Sequence, residues 1–295
     1  MTTVRVSAFS RQSAFLVAQE RGYFRDAGLR VEVEPARGSR HQITELLAER
    51  LDVIHTNPDN VMRFRAEGHE ELFSFLVLDL GLGQTLVVQP EVGTWEDIRG
   101  QRVGTDAPDS GYALLMYEML AQHGVERGSY EPVGLGSTGH RLEGLRRREV
   151  AACLLNHDQV ATALQEGFRQ LASARDYFPL HPGVVASTSR ARAKALGDAL
   201  QGYTDALLAA ARWAHDPANE ADLVQAMSAQ LDIDQEQAAA LLEREKAART
   251  GTAPSPEEAA ESLAVVARVR HATTGIEPLG YFDDRYMRAS EQLAG

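Results

Sequence analysis

Asp52-Val53-Ile54-His55-Thr56-Asn57-Pro58-Asp59-Asn60-Val61 is a short apolar run that ends in a polar elbow and leads into a helical pattern. A weaker echo returns further along as Val150-Ala151-Ala152-Cys153-Leu154-Leu155-Asn156-His157-Asp158-Gln159-Val160. Buried strands of α/β sheets end this way where their tips open onto a ligand, because ligands bind beyond the carboxyl ends of such strands. Two such tips, one per half of the chain, predict two lobes facing a shared small molecule.

Outward from these elbows the first half alternates strand and helix signals. Val4–Phe9 alternates as a strand, Ser13–Gln19 repeats as a helix, and Leu29–Val33 alternates again. Ser39 is a candidate N-cap for a helix running to Leu51, and Leu72–Leu80 and Thr85–Gln89 are β-branched and apolar enough to be strands. Pro90–Trp95 is turn-forming, and a second strand-helix series runs from Gln101 to Glu166. Gly183–Ser187 has the pattern of a strand carrying the chain back, and beyond Ser189 the leucines and alanines recur at helical spacing. Alternating βα units followed by helices predict parallel sheets in a two-lobed α/β protein. The expected lobes are residues 1–90 with 187–295, and residues 91–186.

Composition narrows the function classes. With 42 acidic and 30 basic residues the net charge is −12, which disfavours a nucleic-acid surface. The single basic run, Arg146-Arg147-Arg148, is followed by Glu149 and reads as a solvated helix end. No window approaches the ~20 apolar residues of a membrane span, so no membrane insertion is expected. Met1-Thr2-Thr3 leads straight into a strand pattern without a signal peptide. The expected location is therefore cytoplasmic as written, or periplasmic or extracellular if a leader was removed. The single Cys153, in an apolar run, reads as a small core residue.

Four loops are selected as strand tips: Ser10-Arg11-Gln12-Ser13, Thr56–Asn60, Asp106–Tyr112 and Asn156–Asp158. The first begins a helix, whose free N–H groups and dipole favour an anion, and Arg11 offers a two-point clamp for a carboxylate or sulfonate. Asp59 is a candidate helix cap, leaving Thr56 and Asn57 as contact residues. In the other lobe Ser110 is a candidate cap, Gly111 permits close backbone approach, and Tyr112 can lie against a ring. Asn156 and His157 complete the ligand-binding candidates. His55, Asp59 and His157 are the acid–base candidates should the chain be an enzyme. No H-E-x-x-H or paired-cysteine spacing, P-loop or G-x-S-x-G elbow occurs, so neither metal nor cofactor is expected.

Several segments also carry a family resemblance. Gln19-Glu20-Arg21-Gly22-Tyr23-Phe24-Arg25-Asp26-Ala27-Gly28-Leu29 resembles the A-x-E-x-G-Y-F-x-x-x-G-L segment of SsuA/THI5-like periplasmic binding proteins. Asp52–Asn60 is similar to that family's strand-and-elbow, Trp95–Gly104 to the start of its second lobe, Asp109–Tyr112 to its small-residue loop, and Tyr281–Met287 to its ending. The resemblance implies a bilobal, hinge-closing receptor for a small organic molecule, with an ABC-type importer permease as partner. The chain departs from the family in lacking a leader, the cysteine nucleophile of the desulfinase branch, and the cysteine-rich motif of the thiamin-pyrimidine branch. The expectation is a binding protein for a small polar, anionic or aromatic molecule, closing over it between Thr56–Asn60 and Ser110–Tyr112. The alternative is a cytoplasmic lyase- or decarboxylase-like enzyme on the same fold.

Overall fold

A computed structural model describes residues 1–9, 11–249, 251 and 254–294. The chain divides into two units, each built on its own five-stranded sheet. Unit 1 comprises Met1–Gly81, Pro182–Ala264 and Pro278–Gly295; unit 2 comprises Leu82–His181 and Val265–Glu277.

Unit 1 opens with β1 (Thr2–Ala8), α1 (Ser13–Glu20), α2 (Tyr23–Asp26), β2 (Leu29–Pro35), α3 (Ser39–Leu47), β3 (Val53–Thr56), α4 (Pro58–Ala66) and β4 (Leu72–Val77). Unit 2 follows with β5 (Gln84–Val88), β6 (Arg102–Thr105), α5 (Gly111–Gln122), β7 (Glu131–Gly134), α6 (Thr138–Arg146), β8 (Ala152–Asn156), α7 (His157–Gln165), β9 (Arg169–Ser173) and α8 (Ala174–Tyr177). The chain returns through β10 (Val185–Ser189) and ends in α9 (Arg190–Leu196), α10 (Asp198–His215), α11 (Glu220–Leu231), α12 (Gln235–Ala248), α13 (Pro256–Thr274) and α14 (Arg285–Ala294).

The sheets are mixed, not parallel as expected. In unit 1 the order is β2-β1-β3-β10-β4, with β10 antiparallel to both neighbours. In unit 2 it is β7-β6-β8-β5-β9, with β5 antiparallel to both neighbours. β5 and β10 are the first strands after the chain enters each unit, and each takes an inner position. That is why the expected first boundary, after residue 90, falls too late. The Leu86-Val87-Val88 pattern announces a strand but not the sheet it joins, and β5 belongs to unit 2. Similarly, Val265–Glu277 joins unit 2, although a lobe running unbroken to the C-terminus was expected.

The motifs that prompted the resemblance are largely architectural. Gly22 (φ +81°) and Gly28 (φ +73°) adopt left-handed backbone that other residues avoid. Phe24 between them is buried, stacked on Tyr203 of α10 at 5.3 Å and edge-on to Phe15 of α1 at 5.5 Å. Asp52 is buried at the start of β3, where it accepts the Arg5 N–H at 2.7 Å and Arg5 Nε at 2.9 Å and pairs with Arg192. Burial alone would raise its pKa, but these bonds from Arg5 and Arg192 outweigh burial and hold it below the usual carboxylate range. The tail docks on β4, an edge strand: Ser74 N–H donates to Tyr281 O at 2.7 Å, and Asp283 N–H to Ser74 O at 2.9 Å.

The core of unit 1 joins Val4, Val6 and Val53 of the sheet to Phe15 of α1 and Tyr203 and Leu207 of α10. That of unit 2 joins Val103 and Leu154 to Leu115 and Met119 of α5. Cys153 is fully buried and its thiol is pushed up to about 12 by burial, an inert core residue. The helical spacing that sets in beyond Ser189 is interrupted at Gly197, whose φ of +54° ends α9 and starts α10. Among the described residues no helix is long and apolar enough to cross a membrane.

Candidate functional site

The elbow after β3 is organised by Asn57, not Asp59. Asn57 caps α4, its Oδ1 accepting the N–H of Asp59 at 2.9 Å, with Pro58 in the first turn. The expected cap, Asp59, sits inside the helix and is buried, because proline at the first helical position moves the start two residues earlier. Thr56 is also buried, its Oγ1 accepting from Asn60 Nδ2 at 3.0 Å. Asn57 Nδ2 is buried and has no hydrogen-bond partner among the described residues.

His55 lies in the core of unit 1 instead of at the tip. Its Nε2 meets the Tyr203 hydroxyl at 2.8 Å, its ring stands edge-on to Phe15, and burial holds its pKa down to about 3. A histidine so enclosed stays neutral and meets no substrate, which removes it from the acid–base candidates.

The loop after β1 places Gln12 as the N-cap residue of α1, without a side-chain capping bond. Gln12 is 7% exposed, and its Nε2 is a second buried amide donor with no partner among the described residues. β1 and β3 are adjacent parallel strands, so Gln12 and Asn57 follow neighbouring strand ends. The expected anion position at the α1 N-terminus is already filled by the chain. Ser13 N–H donates to Glu245 Oε2 of α12 at 3.2 Å, and a Cβ on Gly251 would lie 3.1 Å from Ser13 Oγ. Arg11 is exposed and lines a depression of about 310 Å3 with Phe9, Val33 and Glu34. Ser10 lies outside the described residues.

Unit 2 repeats the strand-tip arrangement. Ser110 caps α5, its Oγ accepting the Ala113 N–H at 3.1 Å and donating to Asp106. Gly111 begins the helix, and Tyr112 is half-buried in a narrow crevice with Thr105, Asp106, Met116 and Arg141. Asn156 caps α7, accepting the Gln159 N–H at 3.2 Å. The side chains of His157 and Asp158 lie outside those described.

Two residues at these tips were absent from the expectations. Arg141, 3% exposed, donates to Leu154 O at 2.8 Å, Gly136 O at 2.8 Å and Thr138 Oγ1 at 3.0 Å. The other is Glu245. Both sit in segments of plain helical periodicity, where one charged residue looks like the next; no local pattern singles them out. Among the described residues no group of three or more His, Cys, Asp or Glu could hold a metal ion.

The model of the NMT1/THI5-like family matches residues 10–221 of this chain. No curated protein sequence matches it. Among solved structures, it is similar to the alkanesulfonate-binding protein SsuA from Xanthomonas axonopodis pv. citri bound to MOPS. That pair has a TM-score of 0.74 at 16% identity, covering 96% of this chain and 99% of the other. The periplasmic aliphatic sulphonate binding protein SsuA from Escherichia coli gives a TM-score of 0.70 at 16% identity, covering 97% and 92%. The periplasmic nitrate-binding protein NrtA from Synechocystis PCC 6803 gives 0.63 at 14%, covering 80% and 68%. At these identities the likeness establishes a periplasmic-binding-protein fold.

Proposed function

Since the chain belongs to the NMT1/THI5-like family, we propose that it is a non-catalytic receptor for a small polar organic molecule and hands that molecule to an ABC-type permease. One observation carries this reading: the unpartnered amide donors Gln12 Nε2 and Asn57 Nδ2, both buried beside neighbouring strand ends. A buried donor left unmade costs about 1–3 kcal/mol, so two of them persist where a bound acceptor satisfies them. The names of the fold relatives, which bind alkanesulfonates or nitrate, support a small ligand rather than a macromolecule. In unit 2 the proposed recognition residues are Ser110, Gly111 and Tyr112, with Asn156 acting as a cap. The alternative of a lyase with His55 as its base has lost that base to the core.

The test is a thermal-shift screen over polar metabolites, with native mass spectrometry of each hit. A specific ligand at a hundredfold excess over its Kd should stabilise the fold by ~2.7 kcal/mol. A protein that no class of small molecule stabilises is not this receptor.

A further inference from the structure

Gln84 is the first residue of β5, which runs antiparallel between β8 and β9. The register sets it opposite Asn156, the last residue of β8 and the cap of α7. Paired residues carry their side chains to the same face of a sheet. The Gln84 carboxamide therefore stands at the strand tips of unit 2, on the face that Leu86 and Leu154 share with α5. Gln84 is 8% exposed, yet its Oε1 is buried without a hydrogen-bond partner among the described residues.

The same strand ends hold a second unmet group. Ser173, the last residue of β9, pairs with Thr85 and caps α8. Arg175, in the first turn of that helix, has Nη2 buried and likewise unpartnered among the described residues. An acceptor on β5 and a donor just past β9 are thus both unsatisfied although the strands are neighbours, and neither meets the other's need. An amide oxygen only accepts, so Gln84 lacks an N–H or O–H, whereas Arg175 Nη2 lacks an oxygen. A fully deprotonated oxyanion offers acceptors alone and would leave Gln84 unmet. A primary amide or an α-hydroxy acid offers both, side by side.

We propose that Gln84 is a specificity residue of unit 2, selecting a ligand group that pairs a hydrogen-bond donor with an acceptor oxygen. The donor meets Gln84 Oε1 and the oxygen meets Arg175 Nη2. The proposal rests on the receptor reading above and deepens it by naming the ligand class.

The test uses two matched pairs of probes, titrated into the intact chain by thermal shift and calorimetry. Mandelate is set against phenylacetate, which lacks only the hydroxyl, and benzamide against N,N-dimethylbenzamide, which lacks the N–H donors. At least one donor-bearing probe should bind about tenfold or more tighter than its twin. Gln84→Leu should erase that preference by weakening the donor-bearing probe alone. Without ligand, this variant should melt at or above the wild-type temperature, because an apolar side chain leaves no acceptor unmet. A lower melting temperature would show Oε1 already satisfied in the free protein, by the chain or by an ordered water, and would overturn the assignment. Equal binding of the twins, or a preference that survives in Gln84→Leu, would overturn it too. So would silence from all four probes in a protein that other compounds stabilise, and in that case the receptor reading survives. A protein that no compound stabilises loses both.

Discussion

The imidazole of His55 and the hydroxyl of Tyr203 meet at 2.8 Å inside the core of unit 1, joining β3 to α10. The contact fixes the position of the histidine, while its burial sets the protonation state. Its folded pKa of about 3 lies below the unfolded value, so its stabilising contribution is complete above the unfolded pKa and is lost as pH falls toward 3. By linkage this one group should cost about 2 kcal/mol between roughly pH 8 and pH 5. His55→Gln should remove that acid-side loss, as read from urea unfolding at both pH values.

Asp79 titrates with the opposite sign. It is buried where the chain leaves and re-enters unit 1, its Oδ1 accepting the N–H of Gly183 at 2.6 Å and of Val184 at 3.1 Å. Burial outweighs those bonds and raises its pKa to about 7. A raised carboxyl stabilises fully below its unfolded pKa and loses that contribution as pH rises through 7. The loss between pH 5 and 8 is about 2–3 kcal/mol, nearly cancelling the His55 contribution in the wild type. Asp79→Asn should unmask it: stability of the variant falls toward pH 5, while His55→Gln falls toward pH 8.

Asn57 and Asn156 explain why two distant stretches read alike. Each ends a strand and caps the following helix, accepting an N–H two or three residues ahead. The echo in the sequence was thus legible as architecture, because capping demands a short polar side chain at one position. Gly22, Phe24 and Asp52 were legible for a similar reason, each meeting a local requirement. The antiparallel placement of β5 and β10 was not legible, since pairing partners are set by contacts distant in sequence. β9 was missed because only Ala172 of its five residues is buried, leaving no alternation to detect. Glu245 was missed because its partner, Ser13, lies on another element, and Arg141 because its burial depends on reaching Leu154 O of β8.

The two caps should separate structure from recognition. Asn57→Ala and Asn156→Ala should each lose about 1 kcal/mol of unfolding free energy in urea titrations. Of these two caps, only Asn57 leaves a buried amide donor unpartnered among the described residues. Ligand affinity should therefore fall in Asn57→Ala and stay at the wild-type level in Asn156→Ala.

Asp52 gives the largest expected stability change. Its carboxylate is 1% exposed and receives Arg5 and Arg192 together. Asp52→Ala removes the buried carboxylate that Arg5 and Arg192 share, leaving Arg192 only the exposed Glu49 at 3.3 Å, and should lower stability by about 3 kcal/mol. Because its folded pKa is depressed, the wild-type advantage over the variant should shrink as pH falls through that pKa. Urea titrations of both proteins from neutral to acid pH measure the convergence; a constant difference would show that the lost interaction is not ionic.

Tyr112 tests whether unit 2 takes part in recognition. Its ring is half-buried at the first turn of α5, beside Asp106 and Arg141. A ring placed there offers an apolar face and one hydroxyl to a small molecule. Tyr112→Ala should leave the unfolding midpoint within about 1 kcal/mol of wild type, since the side chain is only partly covered. Affinity for the compound that stabilises the wild type should fall about tenfold, or about 1.4 kcal/mol. Calorimetric titration of Tyr112→Ala beside Asn57→Ala distinguishes the cases. Loss in both assigns both tips to recognition, loss only in Asn57→Ala confines it to unit 1, and wild-type affinity in both places the ligand elsewhere.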